Sequence, residues 1–281
     1  MWRICRRSCR RRWGLELRGP FTAFWQHPSL LVELTRREII GRYRGATLGL
    51  FWSLITPFLM LCIYTVVFGV MMNNRWPGMN GGRGEFALVL FVALIVHGFL
   101  AECLTRAPGL ILSQPNFVKR VVFPLDVLPW AMVGSALFHS LANIVVLVLM
   151  QWTVGANVHA SVLWLPVVLL PLALMMAGVG WLLASLGVYF RDIGQITGVL
   201  ATAMLFLSSA FVPLESLSGV YKALILANPL TLFIEQARDV AIHGRNLDVF
   251  AWAGQLLAGI CVALLGHAWF ERTRGGFADV L

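Results

Sequence analysis

Few residues in this 281-residue chain have the chemistry of a working site, and their spacing is informative. Within long apolar stretches stand His97, Glu102, His139 and Asn143, residue types that relay protons or bind coupling ions when held deep in a bilayer. Glu102 precedes Arg106 by four residues, so a local ion pair on a helix accounts for it. His139 and Asn143 are one helical turn apart and can bond each other or reach a neighbouring helix. No pair of carboxylates shares a stretch to carry protons. Nucleotide chemistry is excluded more sharply. The two lysines, Lys119 and Lys222, follow Val118 and Tyr221, so the Gly-Lys-[Ser/Thr] of a phosphate-binding P-loop is absent. His-Glu-x-x-His, Cys-x-x-Cys and Gly-x-Ser-x-Gly are absent as well. Five cysteines (Cys5, Cys9, Cys62, Cys103, Cys261) form no disulfide framework, and Cys5 and Cys9 lack further metal-ligand partners. The chain has no cofactor signature of its own. Either a partner supplies energy or the protein is passive.

Cations are the chemistry that remains. Arg36, Arg37, Arg42 and Arg44 cluster within one short segment, and guanidinium forks match phosphate oxygens in bidentate geometry. The same charges also attract anionic lipid. Residues 28–45 read as a helix lying along a membrane surface. Glu33, Arg36, Arg37 and Arg44 share a polar sector opposite Leu30, Leu31 and Leu34, and Glu33 with Arg37 is an i,i+4 pair. Glu38 and Arg42 interrupt the apolar side.

The elements that must position these groups follow from composition. Hydrophobic residues make up 59% and charged residues 12%, about half the charged share usual for soluble domains, roughly 25%. The excess apolar surface faces lipid, and the 11 Trp and 18 Phe suit membrane interfaces. The net charge of +9 is concentrated in residues 1–20, with seven Arg against one Glu. In a membrane-embedded chain this tail serves anionic headgroups or topology rather than nucleic acid. It lacks the apolar core of a secretory signal.

Six stretches are long enough to span, at 48–72, 86–105, 127–153, 162–187, 193–212 and 250–270. Pro57, Pro166 and Pro171 inside them predict kinks. With a cytoplasmic N-terminus, inside segments hold seventeen of the 22 Lys and Arg, including Arg106, Lys119, Arg120, Arg191, Arg272 and Arg274. Outside segments hold five: Arg75, Arg83, Lys222, Arg238 and Arg245. The expected fold is an all-α polytopic membrane protein with six transmembrane helices per protomer and both termini cytoplasmic. Its divisions are a basic tail (1–20), an interfacial amphipathic helix region (21–47) and a transmembrane domain (48–281). Two apolar runs within 213–248 are too short to cross and read as re-entrant or interfacial helices between spans five and six.

Several runs carry a resemblance. LTRREIIGRYRGATLGLFWSLITPFLMLCIYTVVFG (34–69), SQPNFVKRVVFPLDVLP (113–129), VYFRDIGQI (188–196), NPLTLFIEQARD (228–239) and GFADVL (276–281) occur in the order found in the membrane subunit of type-2 ABC exporters. Those exporters move bacterial polysaccharides such as O-antigen, capsule and teichoic acid. The resemblance covers nearly everything after residue 21, with residues 1–20 as an extension. It implies a homodimeric inner-membrane permease paired with two copies of a cytoplasmic ATPase that binds ATP and Mg²⁺. The substrate it implies is a glycan on a polyprenyl diphosphate lipid.

Under that resemblance, Asn116, Phe117, Lys119 and Arg120, with Arg191 and Asp192 as a second contact, would couple to the ATPase. Otherwise Lys119 and Arg120 are topogenic charges, Phe117 is an interfacial anchor, and Arg191 pairs locally with Asp192. Arg36, Arg37, Arg42 and Arg44 would meet the diphosphate where substrate enters. Trp52, Phe58, Tyr64 and Phe68, beside Phe51, are candidates for a glycan path, since sugar faces stack on rings; helix packing and lipid contact are the alternative roles. Pro213, Asn228, Pro229, Glu235 and Arg238 would form an external gate, with Glu235–Arg238 holding it together. Rival classes are a type-2 permease for drugs or small lipids and a membrane-bound glycosyl- or acyltransferase. The latter needs convergent acids or a His base that the sequence does not offer.

Overall fold

A computed structural model describes residues 19–67, 85–114, 123–154 and 158–280, and every regular element among them is helical. In chain order these are α1 (Thr22–Gln26), α2 (Pro28–Tyr43), α3 (Trp52–Tyr64), α4 (Glu85–Arg106), α5 (Val127–Val154), α6 (Leu165–Tyr189), α7 (Ile193–Phe206), α8 (Gly219–Ala227), α9 (Pro229–Ala241), α10 (Val249–Thr273) and α11 (Phe277–Val280). Among the described residues, five helical stretches are long and apolar enough to cross a bilayer: Gly49–Val67, Glu85–Gly109, Val127–Val154, Ala160–Tyr189 and Val249–Gly276. Four of these lie within a few residues of the expected bounds, and the first runs out of the described residues after Val67.

The structure departs from expectation at the fifth segment. α7 stops at Phe206 after 14 residues, a rise of about 21 Å against the roughly 30 Å of a hydrocarbon core. Two side chains explain the stop. Asn228 Nδ2 donates to the carbonyls of Met204 and Leu207 at 2.8 and 3.0 Å, taking the acceptors that a further turn would use. Ser208 Oγ then accepts from the backbone N–H of Ala210 at 3.2 Å, turning the chain away. Pro166 also differs, since it occupies the first turn of α6, where no kink follows; Pro57 and Pro171 are interior.

α4 is the central element. Its apolar residues are almost all buried, from Phe86 to Leu104, and α5, α6, α7 and α9 pack around it. α6 and α10 form the closest seam. A Cβ built on Gly266 would lie 2.0 Å from the Gly178 carbonyl oxygen, and one on Gly259 would lie 2.6 Å from that of Pro171. Backbones this close require glycine, and the contact gains dispersion energy that lipid cannot supply to a looser pair. By contrast, the outer faces of α3 and α10 are exposed, including Phe58, Phe250 and Leu265, as is Phe51 just before α3. An aromatic ladder ties the N-terminal segment to this core. Phe24 meets Trp130 edge-on at 4.7 Å, Trp130 meets Trp181 at 5.5 Å, and Trp181 meets His267 at 5.0 Å. Trp130 Nε1 donates to the Pro20 carbonyl at 2.8 Å, so the indole is satisfied at its polar end.

Candidate functional site

The charged groups that interrupt the apolar side of α2 are the ones that face inward. Leu34, Glu38 and Arg42 recur at intervals of four, one stripe of a helix. Leu34 is buried against the core, with Leu30 and Leu31 packed beside it. Further along the stripe, Glu38 pairs with Arg106 of α4, and Arg42 Nη1 donates to Glu102 Oε1 at 2.8 Å. On the opposite sector Glu33, Arg36 and Arg44 are exposed. Thr35 seats α2 against α5: a Cβ on Gly134 would stand 3.0 Å from its Cγ2 and Oγ1.

Glu102 is the hub. Besides Arg42 it accepts from Arg106 Nη1 at 3.0 Å, and His139 Nδ1 lies 3.0 Å from both of its oxygens. The local i,i+4 pair is present but is one bond of several, reaching across three helices. His139 turns to α4 and α2 rather than to Asn143. Its Nδ1 is also 3.0 Å from Arg42 Nη1, so it serves one partner at a time: as N–H it donates to Glu102, and unprotonated it accepts from Arg42. Tyr43 closes the cluster edge-on to the imidazole at 5.9 Å. Burial raises its phenol above the ordinary value, with Arg42 opposing and Glu102 adding to the shift. Arg37 Nη2 donates to Gln114 Oε1 at 2.8 Å. Arg37, Glu38, Gly41, Arg42 and Arg106 line a cleft of about 440 Å³ between α2 and α4. Its three guanidiniums give it the chemistry of an anion site.

The other candidate residues distribute as follows. Arg36 and Arg44 stand outside the cleft, whereas Glu38 and Arg106, missing from the sequence-based set, belong to it. The available signal was the pair of charges on the wrong face of α2. Trp52 and Tyr64 are half-buried and Phe58 is exposed, so the described aromatics of α3 do not converge on one surface. Phe68, with Asn116, Phe117, Lys119 and Arg120, lies outside the described residues. Arg191 and Asp192 are exposed at the turn before α7 and make no ion pair with each other. His97 Nε2 donates to the Ala201 carbonyl at 3.0 Å, a bond joining α4 to α7.

At the far end of α4, Arg238 is 1% exposed. Its guanidinium donates to the carbonyls of Ser209 and Ala210 at 2.7 and 2.8 Å, to Val89 O at 3.4 Å and to Glu235 at 3.0 Å. The Glu235–Arg238 pair is therefore part of a wider clamp on α4 and on the chain following α7. Asn228 caps α9 by accepting from the Leu230 N–H at 3.0 Å, and Pro229 begins that helix. Pro213 precedes a short 3₁₀ turn, Leu214–Ser216.

Known proteins share this chain along most of its length. The O-antigen export system permease protein RfbA of Klebsiella pneumoniae is 24% identical over 253 residues, covering 90% of this chain and 95% of that protein. The RfbA of Myxococcus xanthus is 27% identical over 259 residues, covering 91% and 96%. The polysialic acid transport protein KpsM of Escherichia coli is 26% identical over 213 residues, covering 74% and 79%. The family model described as ABC-2 type transporter matches residues 29–242, which include α2, its partners on α4 and α5, and the Arg238 clamp. With most of its length matched, and five helices among the described residues suited to span a bilayer, the chain belongs to the ABC-2 type transporter family.

Proposed function

We propose that this chain is the permease of a bacterial exporter that moves polysaccharide across the inner membrane, driven by a separate ATPase. The observation that carries this reading is collinearity. Two O-antigen export permeases align over 95% and 96% of their own lengths and over 90% and 91% of this chain. The sequence contains no Gly-Lys-[Ser/Thr] P-loop, which supports a reading in which a partner hydrolyses the nucleotide. The working unit is a homodimer with two ATPase copies, six spans per protomer counting the segment that begins with α7, and both termini in the cytoplasm. The substrate is a glycan on a polyprenyl diphosphate, and the arginine cleft receives the diphosphate at the cytoplasmic end of α4. The helices α8 and α9 form the external gate as a re-entrant pair. Residues 116–120 couple to the ATPase, with Phe117 as the seated side chain and Lys119 and Arg120 steering it.

Deletion of the gene tests the reading. Cells lacking the chain are expected to retain lipid-linked glycan inside and lose it from the surface, with display restored by the chain and its ATPase together. Undiminished display in the deletion strain, or export of small lipophiles in place of glycan, overturns it. Phe117→Ala, or Lys119→Glu with Arg120→Glu, is expected to leave the permease folded and ATP hydrolysis running while export falls; unchanged export removes the coupling assignment.

A further inference from the structure

The cleft holds its own counter-ions, and the way it holds them says how it responds to a ligand. The C-terminal half of α2 is joined to α4 by the ion pairs Glu38–Arg106 and Arg42–Glu102, and to α5 by the Arg42–His139 hydrogen bond and the edge-on Tyr43–His139 ring contact. Tight apolar packing belongs to the other half, at Leu30, Leu31 and Leu34. The two sides of the Arg42–Glu102 bond differ in access. The Arg42 side chain is 51% exposed and lines the cleft, while Glu102 is 12% exposed behind it. An anion entering the cleft thus reaches Arg42 from the open side while Glu102 holds it from behind, and meets Arg106 beside Glu38, which lines the cleft with it. Gly41 leaves space there, since a Cβ on it would meet nothing within 4 Å.

We propose that this cluster is an anion-exchange latch: Glu38 and Glu102 hold α2 closed through Arg106 and Arg42, and a phosphate-type anion displaces them and releases the C-terminal half of α2. The identification of that anion with a lipid diphosphate rests on the function proposed above; the latch itself rests on the ion pairs. A diphosphate linking a lipid to a sugar carries about two negative charges at pH 7, spread over two phosphoryl groups with about four non-bridging oxygens, against the single charge and oxygen pair of a carboxylate. It therefore outcompetes either glutamate for an arginine fork. Release does not strand Glu102, because His139 Nδ1 lies 3.0 Å from its carboxylate as an N–H donor, and Arg106 Nη1 lies 3.0 Å away on the same helix.

The latch is tested by hydrogen exchange on the full chain in phosphatidylcholine nanodiscs, read by mass spectrometry over residues 36–43. Geranylgeranyl diphosphate is expected to speed exchange there at least five-fold, where a ligand that merely added to a closed cleft would slow it. Glu102→Gln is expected to exchange fast without ligand and to bind the probe about ten-fold more tightly, since a competing anion is gone. Glu38→Gln, which leaves the buried hub intact, is expected to do the same to a smaller degree and serves if Glu102→Gln fails to fold. Parallel arms with inorganic pyrophosphate and with phosphatidylglycerol identify the source: a response to any of the three supports the latch, and the arm that responds names it. Binding without faster exchange, tighter exchange protection, or no response in any arm overturns it. Export by intact cells is a separate readout, so loss of the latch leaves the transport reading standing, and the reverse.

Discussion

The two ends of α4 hold arginine in opposite ways. Near Val89, Arg238 is fully enclosed and spends most of its donors on backbone carbonyls. Around Glu102, thirteen residues and about 20 Å further along the helix, Arg42 and Arg106 meet carboxylates and an imidazole, and their side chains are 51% and 30% exposed. Backbone acceptors do not move without unfolding a turn, so the first arrangement is a fixed staple. Side-chain acceptors rotate and can be replaced by a ligand, so the second can rearrange. One residue type thus serves permanence at one end and exchange at the other, according to what it is bonded to.

The largest way to break this contrast is at the staple. Arg238→Ala would leave three carbonyls and Glu235 without their donor, a loss of roughly 3–5 kcal/mol by analogy with broken buried pairs. Melting in detergent and the yield of folded protein should both collapse. Arg238→Lys should recover little, because an ammonium cannot present a planar fork to three carbonyls. Next comes a site with no charge at all. Gly266→Ala would set a methyl 2.0 Å from the Gly178 oxygen and force α6 and α10 apart, at about 1–3 kcal/mol; a melting shift of that size, with normal anion binding, would separate packing from chemistry. Glu102→Gln should cost only about 1 kcal/mol, since its partners are partly solvated, while export changes far more than stability does. A collapse as large as that of Arg238→Ala would show the cleft to be a second staple and dissolve the comparison. Smallest is Arg36→Gln on the exposed sector, expected within about 0.5 kcal/mol of the parent in melting. A strong export defect there would extend the proposed substrate contact beyond the cleft.

Much of the architecture was legible because lipid enforces a simple rule: a segment that crosses it must be long, apolar and self-bonded. α4, α5, α6 and α10 therefore lie where composition places them. The segment starting at Ile193 forms a shorter helix than expected for a physical reason. Its residues beyond Phe206 stay mostly apolar to Val212, Ser208 and Ser209 apart, but Asn228 takes the carbonyls at the end of α7, and that partner is more than twenty positions away in sequence. The cleft was half legible. The arginines of α2 announce an anion site, yet Arg36 and Arg44 face outward and Arg106 comes from another helix. Helical angle marked Glu38 and Arg42 as misplaced on an apolar face; only a neighbour that satisfies them turns that misplacement into a site.

The sequence alone determined that this chain lives in lipid, crosses it repeatedly and carries no nucleotide-hydrolysing loop, because these depend on counts, lengths and local spacing. Tertiary structure decided which charges meet. Glu102 with Arg42 and His139, and Arg238 with the carbonyls of Val89, Ser209 and Ala210, are pairings between residues far apart in the chain. A buried charge must find a partner somewhere, but periodicity within one helix cannot say on which other helix that partner will be.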